Sequence, residues 1–251
     1  MSAAPRAAGE LVELGRFDIP HIAHRRRVRA YLPARRPKRA TPRPLLVLFD
    51  GQNVFDDEGS FAGGWHAHRA VDRYAARRAN PPVVVAIDHG HEARTHELTP
   101  RGDGGVEALV AWVARTLVPA ARAELGLTSE PHGTVLGGSS LGGLAALYAH
   151  YRFPEVFGGA MGMSPSLWAG REAFGALVTA EGLPWTSKVY LDAGEREGGG
   201  KTLAAAAQLA DVLRARGYTR EKLRLRADKR GAHNERSWRR RLPGALRFLF
   251  G

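Results

Sequence analysis

The sequence contains no cysteine among its 251 residues. This absence excludes disulfide bonds, thiolate metal sites and a cysteine nucleophile. Long apolar runs are missing too, and no segment approaches the roughly eighteen consecutive apolar residues that a membrane-spanning helix needs. The N-terminal segment lacks the apolar block of a secretory signal. We therefore expect a cytoplasmic protein that has no membrane as a partner.

Acidic residues are the minority among the charges, with 25 Asp and Glu against 37 Lys and Arg and a net charge of +12. Such a surplus raises the question of nucleic-acid binding, because cationic surfaces attract phosphate backbones. The arginines, however, are dispersed among alanines and glycines along the whole chain. Local concentrations lack the interleaved aromatic side chains that stack on bases, at Arg25–Arg27, Arg35–Arg39 and Arg239–Arg241. We predict no nucleic-acid partner.

The pattern of apolar runs indicates the fold class. A chain of this length can bury one sizeable core, and we predict a single domain over residues 1–251, with residues 1–26 as an N-terminal extension and early strand region. Continuous apolar runs at Leu45–Phe49 and Val83–Ile87 are typical of strands buried on both faces. Further strands or apolar runs are expected at Arg27–Leu32, Thr134–Leu136, Phe157–Met163, Lys188–Tyr190 and Lys222–Ala227.

Helical patterns alternate with these strands. We expect helices at Trp65–Arg78, Val106–Leu117, Leu144–Tyr148, Leu203–Arg216 and Trp238–Phe250. In the helix over 203–216, the inward-facing side chains are expected to be Leu209, Val212 and Leu213. The alternation predicts an α/β fold with a mostly parallel central sheet and helices on both faces.

The stretch Gly137–Gly143 lies directly between the strand at Thr134–Leu136 and a helix-like run. In the pattern Gly-X-Ser-X-Gly, a serine stands on a tight turn from strand to helix, and the positions two before and two after it must be small. Gly138 and Gly142 occupy those positions around Ser140. The pattern predicts Ser140 as a nucleophile, with a helix N-terminus beneath it to stabilise negative charge.

A serine hydroxyl needs a base, and usually an acid, placed later in the chain. His233 follows a glycine at the end of a strand and precedes the closing helix, so we predict that it is the general base and acid. Glu197 lies three residues after Gly194 in a glycine-rich loop at another strand's end, and we rank it first as the acid. Asp192 and Glu195 remain alternatives.

The loop that follows Leu45–Phe49 lies at the edge of the sheet where ligands collect. An oxyanion hole takes one N–H from the residue after the nucleophile and one from this loop, so we assign the backbone N–H groups of Leu141 and Gln52. Asn53 in the same loop is a candidate substrate contact. Aromatic side chains that either line a substrate pocket or belong to the core are Trp65, Trp168 and Phe61.

The remaining histidines predict no metal site. The cluster of histidines 66, 68, 89, 91 and 96 has no paired-ligand spacing on one clear helix. No metal or cofactor is predicted.

Taken together, the segments resemble the esterase D-like branch of the α/β-hydrolases, which includes enterochelin-type and feruloyl esterases. The resemblance runs from about Arg27 to Phe250. Its most specific pieces are Leu48–Phe55, Arg94–Pro100, the elbow, Phe153–Gly159, Ser164–Ser166 and Gly231–Glu235 with Trp238. It implies the same serine, histidine and glutamate as catalytic residues, and it implies that Arg94 and Glu97 hold the loop over the site. Some members manage with a serine and a histidine alone.

These observations predict a serine carboxylic-ester hydrolase that acts on small or short-acyl esters through an acyl-enzyme. Two alternatives stay open: an acyltransferase with the same residues, and a catalytically silent binding protein with the same fold. The predicted partner is a small-molecule ester substrate. The oligomeric state, including a homo-oligomer, stays open.

Overall fold

The computed structural model describes residues 9–35, 41–60, 62–102, 105–180 and 187–251, without the side chains of residues 171 and 180. One eight-stranded sheet organises them. Its strands are β1 (Glu10–Phe17), β2 (Arg26–Leu32), β3 (Leu45–Phe49), β4 (Val83–Ile87), β5 (Thr134–Ser139), β6 (Gly159–Met163), β7 (Lys188–Gly194) and β8 (Leu223–Asp228).

The strands lie in the order β1-β2-β4-β3-β5-β6-β7-β8. β1 pairs antiparallel with β2, and β2 pairs antiparallel with β4. Every pairing from β4 to β8 is parallel. The carboxyl ends of six strands therefore meet at one edge of the sheet, which confirms the predicted mostly parallel α/β architecture.

The described helices are α1 (Ala67–Ala75), α2 (Arg94–Leu98), α3 (Gly105–Trp112), α4 (Val118–Leu125), α5 (Leu141–Arg152), α6 (Arg171–Ala180), α7 (Lys201–Ala215) and α8 (Glu235–Phe250). A π turn, Val113–Leu117, joins α3 to α4. Among the described residues, no helix combines the length and apolarity needed to cross a bilayer.

Apolar clusters cover both faces of the sheet. Leu45, Val47 and Phe49 of β3 point into a cluster with residues of α3, α4 and α5. Leu46 and Leu48 point the opposite way, into a cluster with residues of α1 and α8. Because successive side chains of a strand alternate between faces, a strand buried on both sides needs an unbroken apolar run. This requirement explains why β3 and β4 have the predicted bounds.

The N-terminal region contains a strand that the apolar pattern did not show. β1 lies within the predicted extension over residues 1–26 and is only half-buried at the sheet edge. Its pairing with β2 shifts register between Glu13 and Gly15, and Gly15 has φ 130°. A bulge inserts an extra residue and so interrupts the period of two from which strands are recognised.

Two helical predictions need correction. The predicted helix over 106–117 extends through the π turn to Leu125, and Pro119 lies in the first turn of α4, a position that tolerates proline. Val212 was expected to face inward, but 42% of its surface is exposed. The buried positions of α7 are Ala206, Leu209, Ala210 and Leu213, a stripe at helical spacing that leaves Val212 to one side.

Candidate active site

Ser140 lies on the predicted sharp turn between β5 and α5. Its backbone has φ 56° and ψ −123°, between a strand that ends at Ser139 and a helix that begins at Leu141. A Cβ atom on Gly138 would lie 2.5 Å from the backbone carbonyl carbon of Gly142. The turn therefore requires glycine at position 138, and it places the serine at the carboxyl edge of the sheet.

The structure brings Ser140, His233 and Glu197 into one hydrogen-bonded line. His233 Nε2 lies 2.9 Å from Ser140 Oγ, although 93 residues separate them in the chain. His233 Nδ1 lies 3.0 Å from Glu197 Oε2. Both distances are within hydrogen-bond range, so the arrangement can move a proton from the serine to the imidazole while the carboxylate orients the ring.

The Glu197 carboxylate is buried and heavily hydrogen-bonded. Its Oε1 atom accepts from the Gly194 N–H at 2.8 Å and from the Ser164 hydroxyl at 2.9 Å, and Arg241 Nη1 lies 3.4 Å away. Burial raises the pKa of this carboxyl, but the hydrogen bonds from His233, Gly194 and Ser164, together with the Arg241 charge, bring it below its usual range. The carboxylate is held ionised against His233 Nδ1.

The two other acid candidates are placed differently. Asp192 is fully buried, accepts from Tyr190 at 3.1 Å and pairs with Arg241 at 3.1 Å. Burial raises the pKa of its carboxyl to about 6 despite the Arg241 charge. Glu195 is exposed. Of the three acids, Glu197 is the one whose hydrogen bond to His233 is observed.

His233 reaches this position because a capped helix begins next to it. Asn234 is the N-cap of α8, and its side chain accepts from the Ser237 N–H at 3.0 Å. The imidazole stands edge-on to the Trp238 ring, with centroids 5.2 Å apart. Its side chain is 42% exposed. The ring thus packs against Trp238 and is still partly open to solvent.

The two backbone donors assigned to an oxyanion hole are the N–H groups of Gln52 and Leu141. In the part of the chain that the structure describes, no hydrogen bond uses the N–H of Gln52 or Leu141. Leu141 is the first residue of α5, where N–H groups lack intrahelical partners. Gln52 is fixed by its side chain, which exchanges two hydrogen bonds with the His89 backbone at 2.9 and 3.0 Å. Both donors are available to an incoming oxygen.

Ion pairs tie the loop after β3 to the segment around α2. Arg94 makes a bidentate pair with Asp50, with N···O distances of 2.6 and 2.7 Å. Glu97 pairs with the buried Arg26 and accepts from the Gly90 N–H at 3.1 Å. Arg94 therefore contacts the loop that carries Gln52, whereas Glu97 anchors α2 to β2 and to the turn after β4.

The predicted substrate contacts fall in different surroundings. Trp168 is 79% exposed and lies two residues after Ser166, whose Oγ is 3.1 Å from Ser140 Oγ. Trp65 is buried and packs against Trp238, with ring centroids 6.0 Å apart. The core alternative therefore holds for Trp65, which does not line an open surface. Asn53 is partly buried in the turn after β3, and Phe61 lies outside the described residues.

Four of the five histidines for which no metal site was predicted form ring pairs. His66 stacks on His68 at 5.9 Å, and His89 meets His91 edge-on at 5.3 Å. His66 also bonds Asp57 at 2.8 Å. Within the described ranges, no three histidine, aspartate or glutamate side chains converge as metal ligands.

Three site residues had no role assigned from the sequence: Ser164, Ser166 and Arg241. The two serines belong to the segment Ser164–Ser166, which the family resemblance had singled out. Arg241 belongs to the run Arg239–Arg241, which resembles solvated surface charge, yet its side chain is fully buried. It contacts both Asp192 and Glu197. The neighbours of Arg241 in the chain do not indicate that two carboxylates from other segments surround it in the fold.

A family model described as "Putative esterase" matches residues 19–249 of this chain. The chain belongs to this esterase family. The finding confirms the predicted esterase class and the α/β-hydrolase resemblance. The matched residues include seven of the eight strands and all three residues of the candidate site.

Two curated relatives are similar to this chain over different lengths. The esterase is 24% identical over 249 residues to the uncharacterized protein YbbA of Bacillus subtilis, a match covering 92% of this chain and 95% of YbbA. It is 34% identical over 175 residues to the iron(III) enterobactin esterase of Escherichia coli O6:H1, covering 63% of this chain and 39% of that protein. The chain thus matches about two fifths of the length of this curated relative.

Solved structures show the same fold. The enterochelin esterase of Shigella flexneri superposes with a TM-score of 0.73 at 24% identity, covering 98% of this chain and 59% of that one. At this identity, the likeness establishes the fold alone.

Proposed function

We propose that this esterase is a serine carboxylic-ester hydrolase in which Ser140, His233 and Glu197 act as nucleophile, base and acid. The observation that carries the proposal is the hydrogen-bonded line itself, at 2.9 Å from Ser140 to His233 and 3.0 Å from His233 to Glu197. Family membership supports the reaction class, and the geometry supports the assignment of the residues.

In the acylation step, Ser140 Oγ attacks the ester carbonyl carbon while His233 Nε2 takes the hydroxyl proton. The carbonyl oxygen becomes an oxyanion that accepts hydrogen bonds from the Leu141 and Gln52 N–H groups. As the tetrahedral intermediate collapses, the bond from carbon to the alcohol oxygen breaks, and His233 returns the proton to the departing alcohol. The products are an acyl-enzyme on Ser140 and a free alcohol.

In the deacylation step, His233 removes a proton from water, and the water oxygen attacks the acyl carbon. The bond from carbon to Ser140 Oγ breaks, and the serine oxygen regains a proton from His233. The Glu197 carboxylate keeps the proton of His233 on Nδ1 throughout, so that Nε2 can accept. A carboxylic acid leaves.

We propose small or short-acyl esters as substrates, with Trp168 as the contact for a flat group next to the nucleophile. The exposure of this ring, two residues after Ser166, supports the contact, since aromatic faces bind other aromatic or apolar groups. The name of the Escherichia coli relative adds an iron(III) enterobactin ester as a second substrate to assay.

The test is hydrolysis of p-nitrophenyl acetate and longer p-nitrophenyl esters by the wild type and by Ser140→Ala. We expect the variant to lose about four orders of magnitude or more in kcat, with unchanged thermal unfolding. A fluorophosphonate should label the wild type at Ser140 and leave the variant unlabelled. Retained turnover in Ser140→Ala would reassign the nucleophile.

The same assay separates the two alternatives. An acyltransferase would form a new ester when alcohols are added and would release little free acid. A binding protein with this fold would show neither turnover nor labelling of Ser140.

A further inference from the structure

The hydroxyl of Ser166 is a second hydrogen-bond partner of the proposed nucleophile, beside His233. Its Oγ is 3.1 Å from Ser140 Oγ, and Ser166 is buried with 6% of its surface exposed. Within the described part of the chain, Ser140 Oγ is the hydrogen-bond partner observed for this hydroxyl. A buried hydroxyl whose observed hydrogen-bond partner is the proposed nucleophile requires an explanation.

Backbone bonds fix the position of Ser166 relative to the elbow. The Ser140 N–H donates to the carbonyl of Met163 at 3.0 Å, and the Ser166 N–H donates to the carbonyl of Ser140, also at 3.0 Å. The end of β6 is therefore bonded to the elbow on both sides of the nucleophile. These backbone bonds hold the two serines next to each other, within reach of a bond between their hydroxyls.

The direction of the bond between the two hydroxyls follows from the tautomer of His233. The ionised Glu197 carboxylate can only accept, so Nδ1 of a neutral His233 carries the proton and Nε2 has a lone pair. Ser140 has a single hydroxyl proton, which it donates to Nε2. The proton between Ser140 and Ser166 must then come from Ser166.

We propose that Ser166 is a catalytic residue whose hydroxyl donates to Ser140 Oγ and stabilises the negative charge that develops there. As the Ser140 proton moves to His233 Nε2, the oxygen becomes a stronger acceptor, and hydrogen bonds to charged atoms are stronger than neutral ones. The bond also prevents the Ser140 hydroxyl from rotating away from the imidazole. No proton leaves Ser166. When Ser140 Oγ departs in deacylation, the same donor stabilises it again.

This inference rests on the proposed function, and its test compares Ser166→Ala with the wild type on a p-nitrophenyl ester and on a fluorophosphonate. We expect kcat and the labelling rate to fall together by about ten- to a hundredfold, with KM unchanged within about twofold. Ser166→Thr, which keeps the hydroxyl, should recover most of the labelling rate.

Ser187→Ala is the matched control, because Ser187 is an equally buried serine that bonds His150 and Tyr218 instead. It should alter thermal unfolding without slowing labelling. If Ser166→Ala labels and turns over within twofold of the wild type, the inference is wrong. Full activity in Ser140→Ala would instead overturn the proposed function, so the two failures are distinguishable.

Discussion

The two nitrogens of the His233 ring face very different surroundings. On the Nδ1 side, Glu197 lies buried among Ser164, Arg241 and the Gly194 N–H. On the Nε2 side, Ser140 lies at an edge where Trp168 is 79% exposed. The carboxylate side is fixed by several simultaneous bonds, whereas the nucleophile side is left accessible. The proposed mechanism requires a rigid orienting group and an accessible reacting group, and the His233 ring contacts both.

In this comparison, the largest loss of activity is expected from Glu197→Gln, on the buried side of the His233 ring. The amide keeps the shape of the side chain but removes the charge that fixes the proton of His233 on Nδ1. We expect kcat on p-nitrophenyl acetate to fall by about three to four orders of magnitude at unchanged KM. The exposed neighbour provides the control, and Glu195→Gln should turn over like the wild type.

Asp192→Asn belongs to the same experiment because it also removes a buried negative charge near Arg241. It should disturb stability more than catalysis, since no bond from Asp192 to His233 is observed. If Glu197→Gln stays within about threefold of the wild type, the site works as a serine–histidine dyad and the carboxylate is structural.

A smaller effect is expected from Ser164→Ala, one bond further from the ring. The Ser164 hydroxyl donates to Glu197 and accepts from Trp238 Nε1 at 3.0 Å and Arg241 Nη2 at 2.7 Å. Its loss leaves buried donors without an acceptor, which costs about 1–3 kcal/mol in the free energy of unfolding. We expect kcat to fall about tenfold as the carboxylate loses a constraint.

Urea unfolding and steady-state kinetics on the same preparation check both parts of this prediction. Ser164 has φ 45°, so Ser164→Gly removes the hydroxyl while relieving the backbone. Equal kcat in the alanine and glycine variants would assign the effect to the hydroxyl. A fully active Ser164→Ala would show that Glu197 is held without it.

The smallest effect is predicted on the open side, for Trp168→Ala. Because the ring is mostly in solvent, the free energy of unfolding should change by less than about 0.5 kcal/mol. We expect KM for phenyl acetate to rise about three- to tenfold and kcat to stay constant, since the ring contacts substrate without entering the proton transfer. Methyl acetate should be hydrolysed as by the wild type.

Leu11→Ala is the control for loss of an exposed apolar side chain, because Leu11 is 44% exposed on the edge strand β1. It should leave KM unchanged for both esters. An increase in KM for methyl acetate as large as for phenyl acetate would mean that Trp168 shapes the loop rather than binding an aromatic group.

The same contrast explains what the sequence could predict. The elbow, the histidine after a glycine and the acid three residues after Gly194 are local patterns, and each was placed from residues adjacent in the chain. β3 and β4 were bounded correctly because burial on both faces demands unbroken apolar runs. The catalytic roles themselves stay predictions until the variants are measured.

What the sequence could not predict depends on convergence of distant segments. Arg241 looks like one of three surface arginines until the fold surrounds it with carboxylates from β7 and the following loop. Ser166 acquires its neighbour only when β6 is laid beside β5. Trp65 and Trp168 were both candidates for a pocket or for the core, yet Trp65 is buried and Trp168 is exposed. β1 was hidden by its bulge.

The backbone of Ser140 has a consequence for selection experiments on this chain. A non-glycine residue with φ 56° and ψ −123° is in a sparsely populated region, which typically costs about 1–3 kcal/mol. A glycine at residue 140 would relieve this backbone strain but would remove the proposed nucleophile. Thermal stability and turnover therefore favour different residues at this position. A screen that selects for thermal stability without measuring activity would tend to select inactive variants at this position.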